Sequence, residues 1–335
     1  MNTTVETRKH ETGGGHVSTV LNFARVVFTK TGALLPLFVI MVIYFSVASD
    51  HFLSERNIST IATQSVYFTL VVIAQAIVMI TGGFDLSVGA AIALTSITTS
   101  SVIVAVPGVG GIALATGAGV LTGAAVGAAN GTLISQFRVS PLIVTLGMAS
   151  MVSGFALIVT GGVPIFNLPQ IFKESLYTGQ LAGIPVPWLV TLLVVALAYV
   201  ALYWHRLGRN WYAVGGNPVS AHIAGVPVKR ALFLAYLSAG ILVGIAGVML
   251  TARVGSGEPN LGGSFALQSI AAAVLGGISL RGGQGSLWGA ILGAIFLVLL
   301  QNGLDLVGVS SYMQMIITGG LLVFAVIVDH YWHKT

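Results

Sequence analysis

Ten stretches of the chain approach the roughly 20 mainly apolar residues that a bilayer-crossing helix needs. They cover about 33–49, 60–80, 86–106, 110–134, 141–160, 187–204, 231–251, 265–280, 286–304 and 313–329. The pattern predicts an all-α protein, a polytopic membrane helical bundle of about ten transmembrane helices. The run 86–134 fits either two helices or one helix and a re-entrant piece, with the turn expected at Pro107-Gly108.

The polar connections test this count. With the amino terminus inside and ten alternating crossings, the inner side receives Arg8, Lys9, Arg25, Lys30, Arg138, Arg206, Arg209, Lys229, Arg230, Arg281 and Lys334. The outer side receives Arg56, Lys173 and Arg253. Basic residues concentrate in cytoplasmic loops of membrane proteins, so both termini are expected in the cytoplasm of an inner (plasma) membrane protein. Residues 1–30 are polar and read as a flexible cytoplasmic tail; residues 31–335 read as one continuous membrane domain. No small-residue cleavage site closely follows the first long apolar run, so no cleaved signal peptide is expected.

Composition sharpens the picture. Of 335 residues, 56% are hydrophobic and 7% charged, against about 25% charged in soluble domains. Such a surface suits lipid, not water. The net charge of +5 is accounted for by the loop sorting, so no nucleic-acid partner is expected. Cysteine is absent, which excludes disulfides and thiolate chemistry. The 43 glycines suit close helix packing in lipid, where small residues let backbones approach.

Two short features recur five spans apart. Gly82-Gly83-Phe84-Asp85-Leu86 follows the second span, and Glu258-Pro259-Asn260-Leu261-Gly262-Gly263 the seventh. Asn130-Gly131 closes the fourth, and Asn302-Gly303 the ninth. Five being odd, the halves would be inverted, a five-plus-five repeat of the kind transporters use.

Catalytic signatures are missing from the sequence. No Gly-x-x-x-x-Gly-Lys-Ser/Thr phosphate cradle and no His-Glu-x-x-His occurs, so neither an enzyme nor a resident cofactor or metal is expected. The residues expected to line a pathway are polar groups within spans. Asp85, after two helix-breaking glycines, either caps the next helix or marks a broken helix facing a cavity. Gln64 and Gln75 share a helical face with Tyr67 and Val71. Phe84, Gln268 and Asn302 complete the candidate set; interhelical bonding is the structural alternative for the amides. The longest inner loop, 205–230, contains Asn217-Pro218, a helix cap followed by proline at the first helical position. A short helix over Val219 to Ala224, ended by Gly225 and Pro227, is expected there.

Four ordered stretches carry a family resemblance: Thr81-Gly-Gly-Phe-Asp-Leu-Ser-Val-Gly89, Ser140-Pro-Leu-Ile-Val-Thr-Leu-Gly-Met148, Gly208-Arg-Asn-Trp-Tyr-Ala-Val-Gly-Gly-Asn217 and Ala273-Val-Leu-Gly-Gly-Ile-Ser-Leu-Arg-Gly-Gly-Gln-Gly285. From about residue 33 onward the chain resembles permease subunits of ribose-type carbohydrate ABC importers, in the superfamily that holds branched-chain amino-acid permeases. The resemblance implies a homodimeric permease domain over 31–335 that forms the pathway for a monosaccharide. It also implies a separate cytoplasmic ATPase, which would bind ATP and magnesium, and a periplasmic sugar-binding protein. Under it the loop with Arg209, Gly216, Asn217, Pro218, Ala221 and Gly225 would couple to the ATPase. A branched-chain amino-acid permease differs only in cargo, and an ion-coupled secondary transporter is the more distant alternative.

Overall fold

The structure, a computed structural model, describes residues 34–332, with side chains described to 327. The expected amino-terminal tail lies outside the described residues. The helices are α1 (Leu34–Ala48), α2 (Glu55–Ile80), α3 (Val88–Ala105), α4 (Val109–Phe137) and α5 (Pro141–Thr160). A short α6 (Gln170–Lys173), a π-turn and a two-stranded hairpin, β1 (Gln180–Leu181) and β2 (Ile184–Pro185), lead into α7 (Val186–Tyr199), which continues as a π-turn to Trp204. Then come α8 (Arg206–Gly216), α9 (Pro218–Ile223), α10 (Val228–Val254), α11 (Phe265–Leu275), α12 (Leu287–Leu306) and α13 (Ser311–Trp332).

A helix occupies every apolar stretch. Seven are long and apolar enough to cross a bilayer: α2, α3, α4, α5, α7 with its continuation, α10 and α12. The other three apolar helices are shorter over their described parts: Leu34–Ala48, Phe265–Leu275 and Ser311–Ile327. The run 86–134 is two helices, turned at Pro107-Gly108 where Gly108 has φ +104°.

The stretch 265–280 corrects the expectation of a full span. Its helix α11 has 11 residues, about 16 Å, or half the hydrocarbon thickness. The missing half is supplied by irregular chain. Gly257 lies against Ser100, the Glu258 N–H donates to Ser96 Oγ at 3.2 Å, and Gly262 packs on Ile92. Residues 257–262 therefore descend along α3, and α11 begins beside the middle of α2, where Phe265 meets Phe68 edge-on at 5.5 Å. Irregular backbone at such depth is tolerated only when enclosed by protein. Here Gly257 also exchanges both backbone hydrogen bonds with Ile165, at 2.8 and 2.9 Å.

α2 is the central mast, with every residue from Val66 through Thr81 buried. α4 and α10 cross backbone on backbone. A Cβ on Gly123 would lie 2.4 Å from the Gly240 carbonyl oxygen, and one on Gly127 2.4 Å from that of Tyr236. Only glycine permits this approach, and close approach is how helices gain packing energy in lipid. α5 is different: Leu142, Ile143, Leu146, Phe155 and Ile158 are exposed, leaving an apolar face for lipid or another subunit.

Junctions between the helices meet one another at either end of the bundle. The Gly283 N–H donates to the Ile80 carbonyl at 2.8 Å, and Lys229 Nζ donates to Gln136 at 3.3 Å, at the basic end. Asn57 meets Asn302, and Gln314 meets Asp305, at the opposite end.

Candidate functional site

The break after α2 is built by Thr81 to Ser87. Gly82 takes φ +82°, and Gly83 sits where a Cβ would lie 2.4 Å from the Tyr236 hydroxyl. Asp85 is buried, and its Oδ1 accepts from the Ser87 N–H at 2.8 Å and from Ser87 Oγ at 2.6 Å. Asn130 Nδ2 donates to the same Ser87 oxygen at 2.8 Å, and Tyr236 Oη donates to the Phe84 carbonyl at 3.2 Å. The carboxylate thus closes the turn ahead of α3. The residue flanking α3 is Ser87, so Asp85 lies two residues before the cap position the sequence suggested for it. Asn130 and Tyr236, from α4 and α10, complete this cluster.

The six pathway candidates do not converge. Gln64 and Gln75 lie eleven residues apart on α2, about 16 Å. Gln64 is half-buried; Gln75 is fully buried and, among the described residues, neither of its amide atoms has a hydrogen-bond partner. The Tyr67 hydroxyl between them is also unpartnered, and the Arg253 guanidinium stands 5.5 Å over the Tyr67 ring. Gln268 is half-buried on α11. Asn302 is occupied by an interhelical bond: its Nδ2 donates to Asn57 Oδ1 at 2.8 Å, and Asn57 Nδ2 donates back at 2.9 Å. Asn57 was not singled out from the sequence, since its partner is 245 residues away. An asparagine within an apolar helix was the available signal at Asn130.

The loop 205–230 holds two helices where one was expected. α9 is as anticipated: Asn217 Oδ1 accepts from the Val219 and Ser220 N–H groups at 3.0 and 2.9 Å, Pro218 opens the helix, and Gly225 (φ +82°) ends the turn beyond it. Ala221 is buried, while Val219 and Ile223, one helical turn apart, are exposed. α8 was not foreseen. Its Trp211 is buried and donates to the Ala231 carbonyl at 2.9 Å; Tyr212 Oη donates to the Gly285 carbonyl at 2.9 Å. Burial, then the neighbouring Tyr203, pushes the Tyr212 hydroxyl up to about 12, so it keeps the donated proton across the physiological range. Arg209 is exposed and donates to the Trp204 carbonyl at 3.3 Å.

α8 is mounted directly on the break. A Cβ on Gly215 would lie 1.8 Å from the Ile80 carbonyl oxygen and 2.5 Å from the Gly283 nitrogen. One on Gly282 would lie 2.7 Å from Gly82 Cα, and one on Gly283 2.6 Å from Gly216 Cα. Three turns meet backbone to backbone, with no side chain between them to absorb displacement. Gly216, Asn217 and Pro218 follow immediately, so α9 is one residue removed from this knot.

A many-helix membrane bundle with a break at the end of its central helix, a buried unpartnered amide at Gln75 and a loop module fixed to the break fits the body of a transport permease. The chain belongs to the family described as branched-chain amino acid transport system / permease component, matched over residues 57–326. It is 38% identical over 304 residues to the ribose import permease of Bacillus subtilis (strain 168), covering 90% of this chain and 93% of that one. It is 34% identical over 308 residues to the D-allose transport system permease of Escherichia coli (strain K12), covering 92% and 93%. It is 33% identical over 294 residues to the L-arabinose ABC transporter permease of Azospirillum brasilense, covering 88% and 86%. No solved structure matches it. The resemblance drawn from the four motifs is borne out.

Proposed function

We propose that the chain is the membrane-spanning subunit of an ATP-driven importer for a monosaccharide, with both termini and the basic end in the cytoplasm. A separate ATPase would dock on α9, and a periplasmic binding protein would deliver the sugar to the opposite end of a homodimer. The names of the relatives, which carry ribose, allose and arabinose, favour a sugar over the amino acids in the family's description.

The observation that carries the mechanism is the glycine knot. A push on the exposed Val219–Ile223 face reaches Gly215, and through it the end of α2 and the Thr81–Ser87 break, without passing a deformable side chain. Packed elements of this kind move as units. Gln75 and Tyr67, buried without partners, would meet polar solute or water in another conformation, since an unpaired buried polar atom costs about 1–3 kcal/mol. Neutral amides and an aromatic ring suit a sugar that must bind and leave. An ion-coupled mechanism lacks comparable support, because Asp85 is already committed to Ser87.

Reconstitution with the partner ATPase and binding protein in proteoliposomes tests the reading. Uptake of a pentose or hexose should require ATP. Gly225→Trp should leave assembly intact while separating ATP hydrolysis from uptake. Uptake driven by an ion gradient without ATPase would refute the proposal.

A further inference from the structure

A cavity of about 840 Å³ opens at the basic end, between α9, the start of α10, the α4–α5 turn and the Thr81–Gly83 break. That volume is in the range of small-molecule sites. Its walls are mainly apolar, with Ile134, Val139, Val214 and Leu232 among them, and among the described residues no carboxylate lines it. Four basic side chains do: Arg138, His222, Lys229 and Arg230, all exposed. Ser135 also lines it; its hydroxyl is buried, 2% exposed for the residue, and has no hydrogen-bond partner among the described residues. Phe137 and Ile143, close in sequence to the lining residues Arg138 and Pro141, are exposed by 69% and 66%.

We propose that this cavity binds an anionic phospholipid of the inner leaflet. The phosphate sits among Arg138, Lys229 and Arg230, the glycerol oxygens meet Ser135, and an acyl chain fills the apolar walls. Each half of the arrangement excludes a different competitor. A sugar leaves the apolar walls unused, and a free anion leaves them wet. Basic pockets between helices on the cytoplasmic side are known to suit acidic headgroups. The lipid would lie against Pro218, Val219 and His222 of α9, so membrane composition would set the stance of the helix proposed to meet the ATPase. This rests on the basic end being cytoplasmic; the binding measurement below does not depend on sidedness, which cysteine labelling at position 138 decides separately.

The test is native mass spectrometry of the full chain titrated with phosphatidylglycerol and phosphatidylethanolamine. The wild type should retain phosphatidylglycerol at least about tenfold better. Each basic residue near a headgroup contributes about a fivefold factor, so Arg138→Asn/Lys229→Gln/Arg230→Gln should weaken retention roughly a hundredfold. Arg206→Ser, a basic change outside the cavity, should not. Val139→Trp, which fills the mouth and keeps every charge, should also lose the lipid. These positions are exposed, so the fold should survive. Retention equal to wild type in either cavity variant overturns the proposal. So does displacement of the lipid by inorganic phosphate (a plain anion site), by ribose (a sugar exit) or by the ATPase subunit (a protein contact).

Discussion

Adding one methyl group to the α4–α10 seam should loosen the whole bundle. In Gly123→Ala the new carbon would sit 2.4 Å from the Gly240 carbonyl oxygen, 2.6 Å from Gly244 Cα and 2.7 Å from Gly244 N, whereas ordinary contact begins at 3.4 Å. All three obstacles are backbone, so no rotamer change relieves them. The helices must part by about 1 Å, and a gap of that size forfeits a quarter to a half of each dispersion contact. Overpacking of this kind costs about 1–3 kcal/mol. Gly117→Ala is the internal control: it lies on the same helix, yet nothing stands within 4 Å of its Cβ position. Both substitutions gain the same helix propensity, up to about 1 kcal/mol, so their difference isolates the seam. Thermal unfolding followed by size-exclusion in detergent should place Gly123→Ala several degrees below Gly117→Ala. Equal midpoints would refute the packing argument.

Further outcomes follow from single contacts. Asn57→Leu or Asn302→Leu alone leaves one buried amide unpaired and should cost about 1–3 kcal/mol; the double variant should recover most of it, which a double-mutant cycle of unfolding midpoints would read. Asp85→Ala removes both bonds to Ser87 and should lower transport or folded yield, while Asp85→Asn, whose amide oxygen can still accept them, should keep most of both; equal loss would assign the role to the charge. Tyr212→Phe deletes the bond to Gly285 and should cost about 1 kcal/mol, with ATP hydrolysis less tightly tied to uptake. Gly215→Ala should damage the knot far more than Gly216→Ala, where nothing lies within 4 Å, judged by uptake per ATP hydrolysed.

The sequence revealed most helices, because length and apolarity alone decide what can lie in lipid. Local chemistry was equally plain: Asn217-Pro218 and Pro107-Gly108 act on backbone within a few residues of themselves, and both appear where expected. Long-range partners were hidden. Asn57 finds Asn302, and Gly215 finds Ile80 and Gly283, across separations no local pattern records. The apolar stretch 265–280 concealed its short helix, because the glycines that end α11 are as common within spans as at their ends. α8 was missed for the opposite reason: an amphipathic helix with two aromatic anchors was read as plain loop. The polar pathway candidates were picked one by one from the sequence, which carries no record of the distances that keep Gln64, Gln75, Gln268 and Asn302 apart.

The half-length α11 bears on how the protein is made. Eleven residues offer an insertion channel too little grease to hold, and six consecutive ones, Ser269 through Val274, are covered by neighbours in the finished bundle. This segment lies against α2, synthesised some two hundred residues earlier, and against α12 and α13, which follow it, so its seat is complete only once those last helices are in place. Chains cut shortly after Gly285 should therefore stall with that segment outside, open to proteases, until a complementary carboxyl-terminal fragment arrives to pin it.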